Sequence, residues 1–257
     1  MTTLTHDRYC SEIDHQVTQL RTVVTSGADL SGTVPTCPDW TLEKLVRHMG
    51  GALRWVNALV RERAEENIPF ERIPLIGGPE ARADAGALDA WLAETGRLVV
   101  EALREAGPDT KVWSWMEMAN TGFWARRMTH EITVHRADAT LAAGLPYEVA
   151  PEIAADALDE WLEIGQWMLR RGGESPLAPG QSIHLHATDT PAEWLVEGTE
   201  SGVAWRHGHE KATVALRGPV ADVLLAFYRR LPLDSAGLAV SGDRRVLEGW
   251  LERSSFG

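Results

Sequence analysis

Apolar positions recur at helical spacing through the first two thirds of the chain. Tyr9, Ile13, Val17, Leu20 and Val24 mark one face of a helix over about 7–24, which Ser26-Gly27 ends. Cys37-Pro38-Asp39-Trp40-Thr41 then reads as a loop entering a second helix, with Thr41 as its N-cap. Leu42, Leu45, Met49, Leu53, Val56 and Val60 form that helix's stripe. A third helix is expected over about 88–106, from Leu88, Trp91, Leu92, Leu98, Val99 and Leu103. A fourth is expected over about 121–143, with Gly144 and Pro146 as its stop, and a fifth over about 150–171. Residues 69–86 and 108–120 read as long connections. Four amphipathic helices with two long connections suit a bundle with a site among its helices.

After Gly172-Gly173-Glu174-Ser175-Pro176-Leu177-Ala178-Pro179-Gly180, a linker-like run, the period changes. Short β-like stretches fall at 183–187, 193–197, 203–207 and 212–216. Gly218-Pro219 opens a helix to about 230, and a segment at 238–240 precedes a last helix over 243–251. The fold class expected is α+β. Residues 1–148 form a helical bundle, 149–180 a helix and linker, and 181–257 a small α+β domain.

Composition narrows the setting. The chain of 257 residues can build one large domain or two modest ones, and its 44% apolar content is ordinary for a globular protein. No apolar run approaches a membrane span. The opening stretch, Met1 to Asp7, lacks the basic and apolar regions of a secretory signal, and Cys10 and Cys37 do not make a disulfide framework. A reducing cytoplasm is the expected home. A formal charge of −12 argues against general nucleic-acid binding. A monomer is the default expectation, with no membrane or nucleic-acid partner.

The candidate chemistry lies in Glu131-Ile132-Thr133-Val134-His135. Residues four apart share a helix face, so this segment sets a carboxylate and an imidazole side by side. His48 lies close to the apolar stripe of the second helix and reads as partly buried, in need of a polar partner. Two imidazoles and a carboxylate can hold a zinc-type ion with coordination positions left for substrate. An exposed helix-supporting pair, and a histidine bonded to a backbone carbonyl, are the plainer alternatives that spacing leaves open.

Larger blocks carry a resemblance. Cys37-Pro38-Asp39-Trp40-Thr41-Leu42 followed by Leu45-Val46-Arg47-His48-Met49-Gly50, then Thr129-His130-Glu131-Ile132-Thr133-Val134-His135-Arg136-Ala137-Asp138, resemble the mycothiol-dependent maleylpyruvate isomerase family of DinB-like metal-binding bundles. Leu216-Arg217-Gly218-Pro219-Val220-Ala221-Asp222-Val223-Leu224-Leu225 resembles that family's sterol-carrier-like C-terminal domain. The resemblance implies a DinB-like four-helix bundle followed by a small α+β domain. It implies zinc, or a similar divalent metal, on His48, Glu131 and His135, with mycothiol as thiol cofactor and a small electrophile as substrate. The activity implied is cis–trans isomerisation by thiolate addition to an activated double bond. A mycothiol S-transferase, or a noncatalytic metal-binding module, is the alternative. An arginine of the C-terminal domain would meet substrate carboxylates, with Arg230 the first candidate and Arg217 the second.

Other polar and aromatic residues read in quieter roles. His130 points about a hundred degrees from Glu131 and reads as a neighbour of the site or a surface residue, not a ligand. Arg127, four before Glu131, would compete with a metal and is expected to turn away. Asp138 can orient an imidazole, but the preferred reading is a solvated helix-end carboxylate. Cys37 reads as packing. Trp113 and Trp115 wall a pocket or pack a loop. His184 and His186 share one strand face, as do His207 and His209. With no acidic or cysteine partner at a recognisable spacing, they read as a polar sheet face in preference to a second metal site.

Overall fold

The computed structural model describes residues 4–254, so Met1–Thr3 of the opening stretch read for a leader lies outside the described residues. The chain divides after Tyr147 into two units. In the helical unit, α1 (His6–Thr25), α2 (Leu42–Glu62), α3 (Ala85–Ala106) and α4 (Thr121–Ala142) form the bundle. Short polar side chains start all four. Thr5, Thr41, Asp84 and Asn120 each accept a hydrogen bond from the backbone N–H three residues on, at 2.8–3.2 Å. The expected loop before α2 is instead a strand, β2 (Cys37–Thr41), paired antiparallel with β1 (Thr33–Val34). Backbone pairing gives this short segment partners that the sequence pattern did not show.

Each of α1 and α2 packs against both α3 and α4. Gly50 lets α2 approach α3 closely, because a Cβ there would lie 2.2 Å from the Trp91 ring. The bundle core runs from Ile13 and Leu20 through Leu45, Met49 and Leu53 to Leu92, Val99 and Ile132, all fully buried. The two long connections are anchored by buried polar groups. Arg47 donates to the carbonyls of Gly77, Pro79 and Ala81 at 2.7–2.8 Å, and its Nε donates to Glu43. Trp124 Nε1 donates to the Trp113 carbonyl at 2.7 Å, and the Trp113 ring packs against Trp55 and Trp124. Trp113 therefore closes the aromatic core, and Trp115 packs edge-on against Phe123.

The second unit begins with α5 (Pro151–Arg170), which packs on α6 (Val220–Phe227) and on a sheet strand, β5 (Gly202–His207). The strands are β3 (Ser182–Ala187), β4 (Glu193–Thr199), β5 (Gly202–His207), β6 (Val214–Gly218) and β7 (Ala239–Gly242), in the order β5-β4-β3-β6-β7. β3 runs parallel to β6 and the other pairs are antiparallel. The last helix, α7 (Arg244–Arg253), packs on β3 and β6. Alternation puts Ile183, Leu185, Trp194, Val214 and Leu216 on one face, and all five are fully buried. Trp194 Nε1 donates to Asp159 of α5 at 2.6 Å, so this is the face that α5 covers. The architecture is α+β, as the sequence pattern predicts. Among the described residues no helix is long and apolar enough to cross a membrane.

Candidate metal centre

Helix pitch places Glu131 and His135 one above the other on α4, and the packing of α2 on α4 brings His48 to them. Both imidazole Nε2 atoms face one carboxylate oxygen. His48 Nε2 and His135 Nε2 each lie 3.4 Å from Glu131 Oε1. All three donor atoms fall within 4.8 Å of one another. Those separations are long for charge-assisted hydrogen bonds. They match the edge of a tetrahedron around zinc, about 3.3 Å when each donor is ~2.0–2.1 Å from the ion. His48 is 39% exposed, so part of its side chain is covered and it stands at the open side of the cluster. Its seat on α2 points it past the stripe toward α4.

The far nitrogen of His135 is held from behind. His135 Nδ1 donates to Asp138 Oδ2 at 3.0 Å, which leaves Nε2 directed at Glu131 and His48. Asp138 is fully buried, not solvated as expected. It is fixed in turn by the segment that enters β2, where the Thr36 hydroxyl donates to Oδ1 at 2.5 Å and Cys37 Sγ lies 3.9 Å from Oδ2. Cys37 therefore helps anchor this carboxylate. Arg127 also departs from expectation. It turns toward Glu131 and donates to Oε2 at 2.9 Å, leaving Oε1 to the imidazoles. One carboxylate can serve both because its two oxygens face different partners.

Electrostatics follow the geometry. Burial disfavours the charged carboxylate of Glu131, but hydrogen bonds from His135 and His48 and the nearby Arg127 charge hold it well below the usual carboxylate range. Burial likewise opposes a charged His135, yet Asp138 and Glu131 prevail and push it up to about 9. Trp40, at the end of β2, roofs the pair. Its ring centroid is 4.7 Å from that of His48 and 6.1 Å from that of His135, and it stacks on the latter at 22°. In the sequence Trp40 stands only as one residue of the motif before α2, and its place next to the Thr41 cap is the signal for it.

The residues offer two imidazole nitrogens and one carboxylate oxygen, a donor set suited to a divalent transition ion. An oriented imidazole and a carboxylate with its second oxygen engaged fit such an ion. His130 is not at the cluster. It is buried, edge-on to the Tyr9 ring. Arg230 lies in the second unit just after α6, where its Nη1 donates to the Tyr228 carbonyl at 2.8 Å. The backbone reverses there, because Arg229 takes the left-handed conformation at φ 64°. Arg217 is on β6, paired with His186 and Ala239.

A His–Glu–His cluster between two bundle helices, in a chain that also carries a mixed-sheet α+β unit, defines a two-unit protein with a candidate metal centre in its helical bundle. Residues 10–140, just over half of the chain, match the model of the mycothiol maleylpyruvate isomerase N-terminal domain. Residues 152–249 match that of the corresponding C-terminal domain. The chain belongs to the mycothiol maleylpyruvate isomerase family. The crystal structure of a mycothiol-dependent maleylpyruvate isomerase shares its fold, with a TM-score of 0.62 and 18% identity over 94% of this chain and 96% of that one. A histidine-to-alanine mutant of such an isomerase gives a TM-score of 0.61 and 17% identity over the same shares. No curated protein matches the chain significantly.

Proposed function

We propose that the protein is a zinc-dependent, mycothiol-using cis–trans isomerase acting on maleylpyruvate or a closely similar cis-alkene acid in the cytoplasm. The observation that carries this reading is the convergence of His48, Glu131 and His135, with His135 oriented by buried Asp138, in a chain of this family. These three side chains would hold the ion. Zinc bound there supplies a lowered thiol pKa, which makes the thiolate the available nucleophile near neutral pH. Reversible addition of thiol across the double bond, rotation about the resulting single bond and elimination return the thiol and release an isomer of the substrate.

The chain's own groups account for the rest. Asp138 fixes the tautomer and direction of His135. Arg127 neutralises the outer oxygen of Glu131, so a single oxygen of that carboxylate faces the imidazoles. Trp40 covers the two imidazoles and limits water at that side. Arg230 is assigned the substrate carboxylates, since a guanidinium fork matches a carboxylate in two parallel hydrogen bonds.

The test is incubation of the untagged protein with zinc, mycothiol and maleylpyruvate. Turnover to the trans isomer with the thiol unspent is expected. Thiol consumed in step with substrate would replace the isomerase by a mycothiol S-transferase. No bound metal and no response to thiol would leave a noncatalytic module.

A further inference from the structure

The sheet unit gathers a second set of donors, built from three imidazoles and one carboxylate. His184 and His186 project from the same face of β3 by strand alternation, opposite the buried Ile183 and Leu185. Glu193 opens β4 as the cross-strand partner of His186, so its side chain rises on that face. The chain then supplies His209 just beyond β5. His207 and His209 do not share a face as the sequence predicts. β5 ends at His207, which turns to the helix-covered side, where its Nε2 is 3.1 Å from Asp159 and its ring lies against Trp194. His209 follows the chain past the end of the strand and comes back to Glu193.

Three imidazoles therefore surround one carboxylate oxygen. Glu193 Oε2 lies 2.7 Å from His184 Nε2, 2.6 Å from His209 Nδ1 and 3.5 Å from His186 Nδ1. The ring centroids form a near-regular triangle with sides of 5.2, 5.7 and 5.7 Å. One donor atom from each of the four residues falls within 4.8 Å of all the others. His184 is buried at the floor, with 7% of its side chain exposed, and His209 is 72% exposed at the rim. A polar sheet face would scatter its side chains into solvent. Here a strand pair and a following loop aim four donors at one point.

We propose that His184, His186, Glu193 and His209 form a second divalent transition-metal site, one that clips β3, β4 and the segment after β5 together. Three nitrogens and one oxygen suit zinc, cobalt, nickel or copper, whereas calcium and magnesium want oxygens alone. Four protein donors complete a tetrahedral shell, which is the pattern of a structural site. Binding must spread the two shortest donor contacts toward the tetrahedral edge of about 3.3 Å. Exposed His209 is the donor with room to move. The inference is independent of the isomerase reading, because it uses no residue of the bundle.

The experiment uses the untagged full chain carrying His48→Ala and His135→Ala, so that the bundle donors are gone. Cobalt(II) is titrated in, bound metal is counted by elemental analysis, and zinc is added as competitor. One equivalent of cobalt is expected, with the intense visible bands of a tetrahedral site, displaced by zinc and accompanied by a rise in melting temperature. Adding His186→Ala and His209→Ala should abolish the equivalent and the thermal shift while circular dichroism stays unchanged. Should those two substitutions disturb the fold, Glu193→Gln alone, close in shape, should weaken binding about 10-fold or more. No bound equivalent in the first variant, an equivalent that survives loss of His186 and His209, or undiminished affinity in Glu193→Gln overturns the proposal.

Discussion

The two histidine–glutamate clusters use the same residue types and differ in donor number, spacing and support. In the bundle, donors on two helices stand 3.4 Å apart around one oxygen, and a buried carboxylate holds one imidazole from behind. In the sheet unit, the closest donors are 2.6–2.7 Å apart in hydrogen bonds, and one of the imidazoles is on an exposed loop. Three donors on rigid helices suit a site that must leave room for a reacting group, while four donors on strands and a loop suit an ion held for stability. The contrast teaches that composition does not separate a reactive centre from a clip. What separates them is how many donors converge and what fixes each one.

The sharpest way to break this contrast is to remove a bundle donor. His135→Ala should lower isomerase turnover more than about 100-fold, since even partners of a ligand typically cost 10–100-fold. Metal bound to the sheet cluster should be unchanged by elemental analysis. Asp138→Asn tests the support behind His135. Turnover and zinc affinity should both fall about 10–100-fold, with the melting profile little changed. An unaltered affinity would show that the buried carboxylate does not orient the imidazole. Trp40→Ala should have a smaller effect, about fivefold on turnover, the size of one lost aromatic contact of ~1 kcal/mol, with metal content intact. His209→Ala should leave turnover within about twofold while removing only the sheet cluster's share of the zinc-dependent gain in melting temperature. Equal damage to turnover from this variant would erase the distinction between the clusters.

The smallest expected effect concerns the protein's own thiols. Burial pushes the Cys10 thiol up to about 11, so its thiolate is scarce until the pH nears that value. Labelling with iodoacetamide at pH 8, read by mass spectrometry of peptides, should modify Cys37 and spare Cys10 in the folded protein. Both should react in denaturant. Rapid native labelling of Cys10 would contradict its burial in the bundle.

Several features were legible before any coordinates. Thr41 is the cap expected, α1, α4 and α5 begin and end within one residue of the spans expected for them, and α2 starts at the first residue of its stripe and ends two past the last. The pairing of Glu131 with His135 follows from helix pitch alone, and that of His184 with His186 from strand pleat alone. Less legible was everything that depends on two elements meeting. Asp138 read as solvated because nothing local shows that β1 and β2 cover it. Arg127 read as turned away because its choice of rotamer is settled by the second oxygen of Glu131. Glu193 sits nine residues after His184, a spacing set by a strand and a turn together and therefore by no single period.

By itself the sequence determined the elements, the α+β class, the motifs that mark the family and the pairs of donors that lie within one helix or one strand. Those follow from repeats of 3.6 and 2 residues and from short-range capping, which act along the chain. Only the tertiary structure decided that His48 meets the α4 pair, that Asp138 stands behind it, and that Glu193 and His209 complete the sheet cluster. Contacts of that kind depend on which faces pack and which rotamers the packing leaves. A pattern confined to one element cannot encode them.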